Sequence, residues 1–567
     1  MSWSRSQRKN PDKTIEPVLI NRLAAFLVFV LTAIFYIFTL LPSLAWGDGT
    51  KLQSEAISGE SFVLAEMTRE EFSPDPFIFS KVGVAAWDHP LYIILGHLLV
   101  QTFPLIDSLW LVNLISALFG AASVALVYIL CYRFTDSILA SCYAAFSLAV
   151  SHTFWWHSST PEVYTLFVFL LLVSVYFLDQ FERTGRYSFL FLSGLFLGLA
   201  ASNHILAILA IPVLVLYYFL SRRFPRLYFF KIRDLIYPSL GFLTGFSIYL
   251  IQFARMTRAF PFNEIIGPVA GATFLSQLST MNLVSVGKSL LTYLFLLVVQ
   301  FNPLGVILGI VGIQRVFRNT DLFSLKIVAY FIVYTLFGIL YQVTDQFAFF
   351  LSSYVFWAIL MGIGAHYFFS VLSGKMRSIS SVILALMILG TPFFYIALPR
   401  LAERNGLNDA SIGIPQIGTG IRNGLDYYVY PNKRGDISAY EFGSQTITKL
   451  VPNALVIAEW YTDTDEYFIL RYFVTVRGFR PDVSIVGWPT QDPFAFDSQL
   501  ALKVIEDSFP NRPVYLASLS DQFYAASKLA DAYCIVAENN LYRLYPDDFD
   551  KNEGDDFPCL QKDSITK

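Results

Sequence analysis

The chain has 567 residues, of which 55% are hydrophobic and only 15% charged, where soluble domains carry about 25% charged residues. Its formal net charge is −3 with no basic tract, which argues against a nucleic-acid partner. The apolar excess stops near residue 398, so a membrane-embedded part followed by a water-facing part is expected.

In chain order, Arg5, Arg8, Lys9, Lys13 and Arg22 lead into an apolar stretch from Ile20 to Leu44. That stretch is too long for a signal-peptide core and long enough to cross a bilayer, which takes roughly 20 apolar residues. Lys and Arg mark the cytoplasmic side, so the N-terminus is expected there and the segment 46–108 outside. Within it, Leu91–Phe103 is apolar but short and reads as a re-entrant or interfacial helix. Further spans are expected at 109–132, 136–153, 162–180, 188–202, 204–220, 234–253, 297–315, 325–342, 351–371 and 379–397, about eleven in all. An interfacial helix is expected near 284–297. Each inner loop then carries positive charge: Arg133, then Arg183 and Arg186, the cluster Arg222 to Arg233, then Arg315, Arg318 and Lys326, then Lys375 and Arg377.

These segments divide the chain into a multi-pass part, 1–398, and an outer soluble domain, 399–567. In the latter, short apolar runs at Ala454–Ala458, Val483–Val486, Val514–Ala517 and Cys534–Ala537 alternate with helix-like stretches at 438–450, 464–476 and 498–507. That alternation predicts a small α/β domain with a mostly parallel sheet. Arg480-Pro481-Asp482 is expected to turn into the second strand, with Arg480 extended because it precedes proline. Four cysteines do not make a disulfide framework. Cys131 and Cys142 read as buried small hydrophobes, and pairing of Cys534 with Cys559 needs an oxidising compartment.

Five polar stations interrupt the apolar pattern, all on the predicted outer face. Trp46-Gly47-Asp48-Gly49 follows the first span, with Glu55 and Glu60 beyond it. Asp48 reads either as part of a turn, which Gly and Asp favour, or as an acid at the mouth of a cleft. In Trp87-Asp88-His89-Pro90, Asp88 reads as a helix cap with Pro90 in the first turn, or Asp88 and His89 stand beside a reacting group. Phe154-Trp155-Trp156-His157 has the look of an interfacial anchor, and Thr160-Pro161-Glu162 that of a helix start. His204 lies between apolar runs and Asp345 in a short outer loop. An ionisable residue at membrane depth is a functional candidate by default. No CxxC, HExxH, GxGxxG or P-loop pattern occurs. The sequence thus names no cofactor and leaves a divalent metal open.

Taken in order, Gly47-Asp48-Gly49, Asp88-His89-Pro90-Leu91-Tyr92, Thr153-Phe154-Trp155 with Glu162-Val163-Tyr164, Gly198-Leu199 with Asn203-His204, and Gly478-Phe479-Arg480-Pro481-Asp482-Val483 carry a resemblance. The chain resembles bacterial multi-pass proteins related to the animal transmembrane-260-type protein O-mannosyltransferase, within the GT-C superfamily. Family members usually carry an acid three residues after the first Asp, where this chain has Lys51. The resemblance implies an inverting glycosyltransferase that moves a sugar, such as mannose, from a polyprenyl-phosphate donor to an acceptor hydroxyl on a protein or glycan outside the cytoplasm. It makes Asp48 the catalytic base. Glu55, Asp88, His89, His157, Glu162, His204 and Asp345 are substrate-binding candidates, with Arg255 or Arg258 as further cations for the leaving phosphate. Two other classes remain open: a transporter or flippase, against which stands the lack of an internal repeat, and a non-catalytic scaffold, which Lys51 keeps in view.

Overall fold

A backbone inside hydrocarbon must satisfy its own N–H and C=O groups, so apolar runs of bilayer length fold as helices. A computed structural model describes residues 15–61, 85–86, 88–223, 231–262, 265–266, 281–319, 322–343, 345–408, 421–458, 466–487, 498–509, 511–520, 524–546 and 559–560. Trp87 lies outside the described residues. Among the described residues, seven helices are long and apolar enough to cross a membrane: Leu19–Phe38, Ser108–Thr135, Tyr164–Thr184, Arg233–Ala259, Leu283–Arg318, Leu351–Val371 and Gly374–Arg404. An eighth crossing is possible as a pair, Ile138–Ala149 and His152–Ser159, bent by 62°. The expected segments at 188–202, 204–220 and 325–342 are also helical, but shorter than a full span. Pro90–Thr102 is the short apolar helix expected within the first outer segment, with proline in its first turn.

The helices Ser108–Thr135, Tyr164–Thr184 and Leu351–Val371 form the buried centre. Arg233–Ala259 and Gly374–Arg404 turn most of their apolar side chains outward, as lipid-facing helices do. Glycine lets two helices approach until their backbones touch. A Cβ on Gly194 or Gly198 would run into the carbonyls of Pro238 and Phe242, and one on Gly241 or Gly245 into those of Phe191 and Leu195. Tyr187–Asn203 is thereby pressed onto Arg233–Ala259. The segment 284–297, expected as a separate interfacial helix, runs into the following span as Leu283–Asn319. Asn302, at φ 55° and ψ 167°, breaks it, and its Oδ1 accepts from the N–H groups of Leu304 and Gly305 at 3.1 Å each. Pro303 then opens a new first turn, where its missing N–H costs nothing.

After the last apolar helix the chain builds a five-stranded sheet from β1 (Leu455–Ile457), β2 (Ser484–Val486), β3 (Val514–Leu516), β4 (Tyr533–Glu538) and β5 (Leu541–Pro546). The order is β2-β1-β3-β5-β4. The first three strands are parallel, and β5 pairs antiparallel with both β3 and β4. The α/β expectation therefore holds, with two differences. The sequence reading missed β5, and the sheet is half antiparallel because the two-residue turn Asn539-Asn540, both at positive φ, closes a hairpin. Arg480 turns into β2 as expected but at φ 50°, not extended. Its guanidinium donates to the carbonyls of Leu450 at 2.7 Å and Val451 at 3.1 Å and pairs with Asp482 at 2.7 Å, which offsets the preference set by Pro481. Cys534 and Cys559 are disulfide-bonded, while Cys131 is buried and free.

Candidate active site

The first span ends and the chain turns at Gly47, whose φ 67° and ψ −151° are open in practice only to glycine. Helix Asp48–Ser58 starts at once, putting Asp48 exposed in its first turn, where the helix dipole favours a carboxylate. The floor under this helix is polar and fixed. Gln53 Nε2 donates to Asn113 Oδ1 at 2.8 Å, and Asn113 Nδ2 donates to the Leu41 carbonyl at 2.9 Å. At its far end His97 Nδ1 lies 2.8 Å from the Ala56 carbonyl.

One turn past Asp48, Lys51 forms an ion pair with Asp88, which is 3% exposed. Asp88 is thus an ion-pair partner and not the helix cap expected. Its Oδ2 has no hydrogen-bond partner among the described residues. His89 takes the capping position instead, at φ 56° and ψ 50°, with Nδ1 2.9 Å from the Asn203 carbonyl. A nitrogen facing a carbonyl carries the proton, so Nδ1 donates. Burial, only partly offset by the neighbouring Asp88, pushes the His89 imidazole below its ordinary pKa. Its ring lies 4.9 Å from that of His204. His204 Nδ1 accepts the Leu206 N–H at 3.2 Å, so in the neutral ring the other nitrogen is the donor.

Tyr164 is the hub. Its ring is 5.3 Å from His204, 5.0 Å from His157 and 5.8 Å from Phe349. His157 stacks on Phe347 at 5.6 Å, and neither of its ring nitrogens has a hydrogen-bond partner among the described residues. The helix start expected at Thr160 falls later. Thr160 ends His152–Ser159 and donates to the Trp156 carbonyl at 3.0 Å, and the next helix begins at Tyr164. Glu162 therefore sits in the link between two helices, held by Ser116, whose Oγ accepts its N–H at 2.9 Å and donates to its carbonyl at 3.0 Å. Burial first, then the charges of Asp48 and Asp345, hold the Glu162 carboxyl well above the usual carboxylate range. Asp345 precedes the short helix Gln346–Phe349 in the loop between two later membrane helices.

The structure thus gathers Asp48, Asp88, His89, His157, Glu162, His204 and Asp345 around Tyr164. It does not bring Glu55 to them. Glu55 is fully buried two turns along, 3.5 Å from Ser61 Oγ and within electrostatic reach of Arg471 in the C-terminal part. Arg255 is half-buried and Arg258 exposed at the end of Arg233–Ala259. That end reaches the Asp88 loop, because Met256 Sδ accepts the Ala86 N–H at 3.2 Å. No group of three His, Cys, Asp or Glu side chains among the described residues is placed to hold a metal ion.

Sequence reasoning missed two cations, one over Trp46 and one over Trp156. Arg422, largely buried, lies over the rings of Trp46, Tyr427 and Tyr428 at 5.7, 5.1 and 4.9 Å. Lys433, 1% exposed, donates to the carbonyls of Tyr427 and Tyr430 and sits 5.5 Å over Trp156. Burial pushes its ammonium down to about 7. Both come from a polar stretch with no periodicity. The backbone bond from Lys433 N–H to the Thr39 carbonyl, 2.9 Å long, returns this stretch to the end of the first span.

Residues 88–227 match the family model described as the Protein O-mannosyl-transferase TMEM260 N-terminal domain. A search of curated protein sequences gives no significant match. Among solved structures, the chain is similar to ArnT from Cupriavidus metallidurans bound to undecaprenyl phosphate, at 14% identity and TM-score 0.56, over 92% of this chain and 97% of that one. The same protein in the apo state gives TM-score 0.54 at 14% identity, over 92% and 97% of the two chains. The Archaeoglobus fulgidus oligosaccharyltransferase in the apo form gives TM-score 0.50 at 12% identity, over 96% of this chain and 76% of that one. The chain thus shares the fold of GT-C membrane glycosyltransferases and carries, over residues 88–227, a match to the N-terminal domain of the transmembrane-260-type protein O-mannosyl-transferase.

Proposed function

We propose that this protein transfers a sugar, such as mannose, from a polyprenyl-phosphate-linked donor to a hydroxyl of a protein or glycan outside the cytoplasm. The observation that carries the reading is the set of carboxyl groups at the end of the first span. Asp48 is exposed at a helix start, while Glu162 beside it is half-buried and its carboxyl is held well above the usual carboxylate range. Where two acids share a site and their environments differ, their roles separate. Asp48 is the base: it takes the proton as the acceptor oxygen attacks the anomeric carbon. The bond from that carbon to the lipid phosphate breaks, the phosphate leaves with the electron pair, and the anomeric configuration inverts. Glu162, kept protonated, donates a hydrogen bond into the site. The imidazole N–H groups of His157 and His204, with Arg255 or Arg258, stabilise the charge that develops on the leaving phosphate. Asp88, His89 and Asp345 complete the substrate-binding set, and Glu55 serves it only at a distance, within electrostatic reach of Arg471.

Undecaprenyl phosphate in the ArnT structure supports a lipid-linked donor. The disulfide between Cys534 and Cys559 supports an oxidising location for the outer domain, which we set at about 399–567 beyond the multi-pass part at 1–398, with 46–108 as its first outer loop. The basic residues before the first span support a cytoplasmic N-terminus in this reading.

Asp48→Asn is the test. The amide keeps the size and turn preference of the acid but takes no proton. Release of labelled sugar from a polyprenyl-phosphate donor by purified membranes should drop by about 10²–10⁴-fold while expression is unchanged. Turnover near that of the wild type would make Asp48 a turn residue only.

A further inference from the structure

We infer that a cleft at the end of the membrane part remote from Asp48 binds the phosphate headgroup of an anionic glycerophospholipid. The cleft has a volume of about 360 Å³ and is lined by Asn21, Arg22, Ala25, Ile129, Arg133 and Tyr176. Asn21 and Arg22 lie in the second turn of the helix Ile15–Phe38, whose other end leads to Asp48. At 1.5 Å per residue the two ends are about 25 Å apart, so this cleft is not an extension of the sugar-transfer site.

Its polar atoms are donors. Asn21 Oδ1 is occupied by the hydroxyl of Tyr128 at 3.0 Å, which leaves its amide nitrogen to face the cleft. Arg133 is held by the buried Asp179 and lies 5.2 Å over the Tyr176 ring. Asp179 also takes Arg183 at 3.1 Å, so one carboxylate is shared between two guanidinium groups. Arg22 is exposed and has no carboxylate partner among the described residues. The local balance is positive, which favours an acidic ligand.

The walls point to a lipid as the source of that acid. Ala25 and Ile129 make the cleft apolar below its charged rim. Leu19, Leu23 and Phe26 continue an exposed apolar surface along the same helix, fit for acyl chains. Tyrosines at this level, Tyr128, Tyr132 and Tyr176, match the amphipathic belt of a bilayer boundary. Basic pockets between membrane helices on the cytoplasmic side suit anionic lipid headgroups.

Full-length protein in neutral detergent can be titrated with phosphatidylglycerol, phosphatidylcholine or inorganic phosphate and bound species counted by native mass spectrometry. Phosphatidylglycerol should be retained about tenfold better than phosphatidylcholine, and equimolar inorganic phosphate should not displace it. Arg22→Gln should lower that preference about fivefold, the increment expected of one arginine at a membrane surface, and Arg22→Lys should keep most of it. Equal retention of the two lipids, an unchanged preference in Arg22→Gln, or displacement by inorganic phosphate would each overturn the assignment. The readout does not involve sugar transfer, so its outcome is independent of the function proposed for the other face.

Discussion

At the scale of single residues, the acids of the site differ in what surrounds them. Glu162 is held as the neutral acid by burial and by the charges of Asp48 and Asp345. Its folded pKa lies above its unfolded value, so between the two the folded state binds more protons and stability falls as pH rises. Glu162→Gln mimics the neutral form and does not titrate. Unfolding in detergent between pH 4.5 and 8 should show the wild type losing stability that the variant keeps; parallel curves would mean that Glu162 ionises freely. Lys51 was legible in the sequence only as a missing acid, whereas the structure shows an ammonium paired with Asp88. That pairing joins residues 37 positions apart through a loop, and no local pattern encodes it.

Among the elements, helices are where the sequence spoke most clearly. Apolar length and loop charge mark the segments that become Ser108–Thr135, Tyr164–Thr184 and Leu351–Val371, with ends up to about one helical turn away. The same cues misjudge places where a side chain, not periodicity, decides. Asn302 splits one helix by capping its own successor. Arg480 holds a positive φ through bonds to carbonyls thirty residues away. The strand β5 was missed because Leu541–Pro546 sets Arg543 between two Leu-Tyr pairs and buries only Leu541 and Leu544, a half-exposed pattern and not an apolar run. Helix pairing is more predictable once the glycines are seen. Gly198→Leu forces Tyr187–Asn203 away from Phe242, since even a Cβ has no room there. Overpacking of this kind costs about 1–3 kcal/mol or more, which should appear as a lower midpoint in SDS-induced unfolding, with Leu199→Ile as the control on the same helix.

For the whole molecule, orientation is the testable quantity. Reporter fusions after Lys375 and after Asn453 should report opposite sides of the membrane, because one apolar helix, Gly374–Arg404, separates them. The same side for both would remove the proposed outer location of the sheet domain. Cys559→Ser, by opening a 25-residue covalent link, should cost the C-terminal part about 3 kcal/mol in denaturant titrations followed by intrinsic fluorescence.

The helix that bears Asp48 is gripped from both ends of the chain. Trp46 Nε1 donates to Ser438 Oγ at 2.8 Å, Lys51 lies 5.8 Å over Phe468, and Glu55 faces Arg471. These contacts span 392 residues of sequence at Trp46 and Ser438. During synthesis the N-terminal spans enter the membrane long before residue 438 leaves the ribosome, so the nascent protein spends most of its birth with the helix of the proposed base lacking these C-terminal contacts. Under the proposed function, catalytic competence is a property acquired late, on completion of the chain, and a truncated product stopped before the sheet domain should insert in the membrane and remain inert.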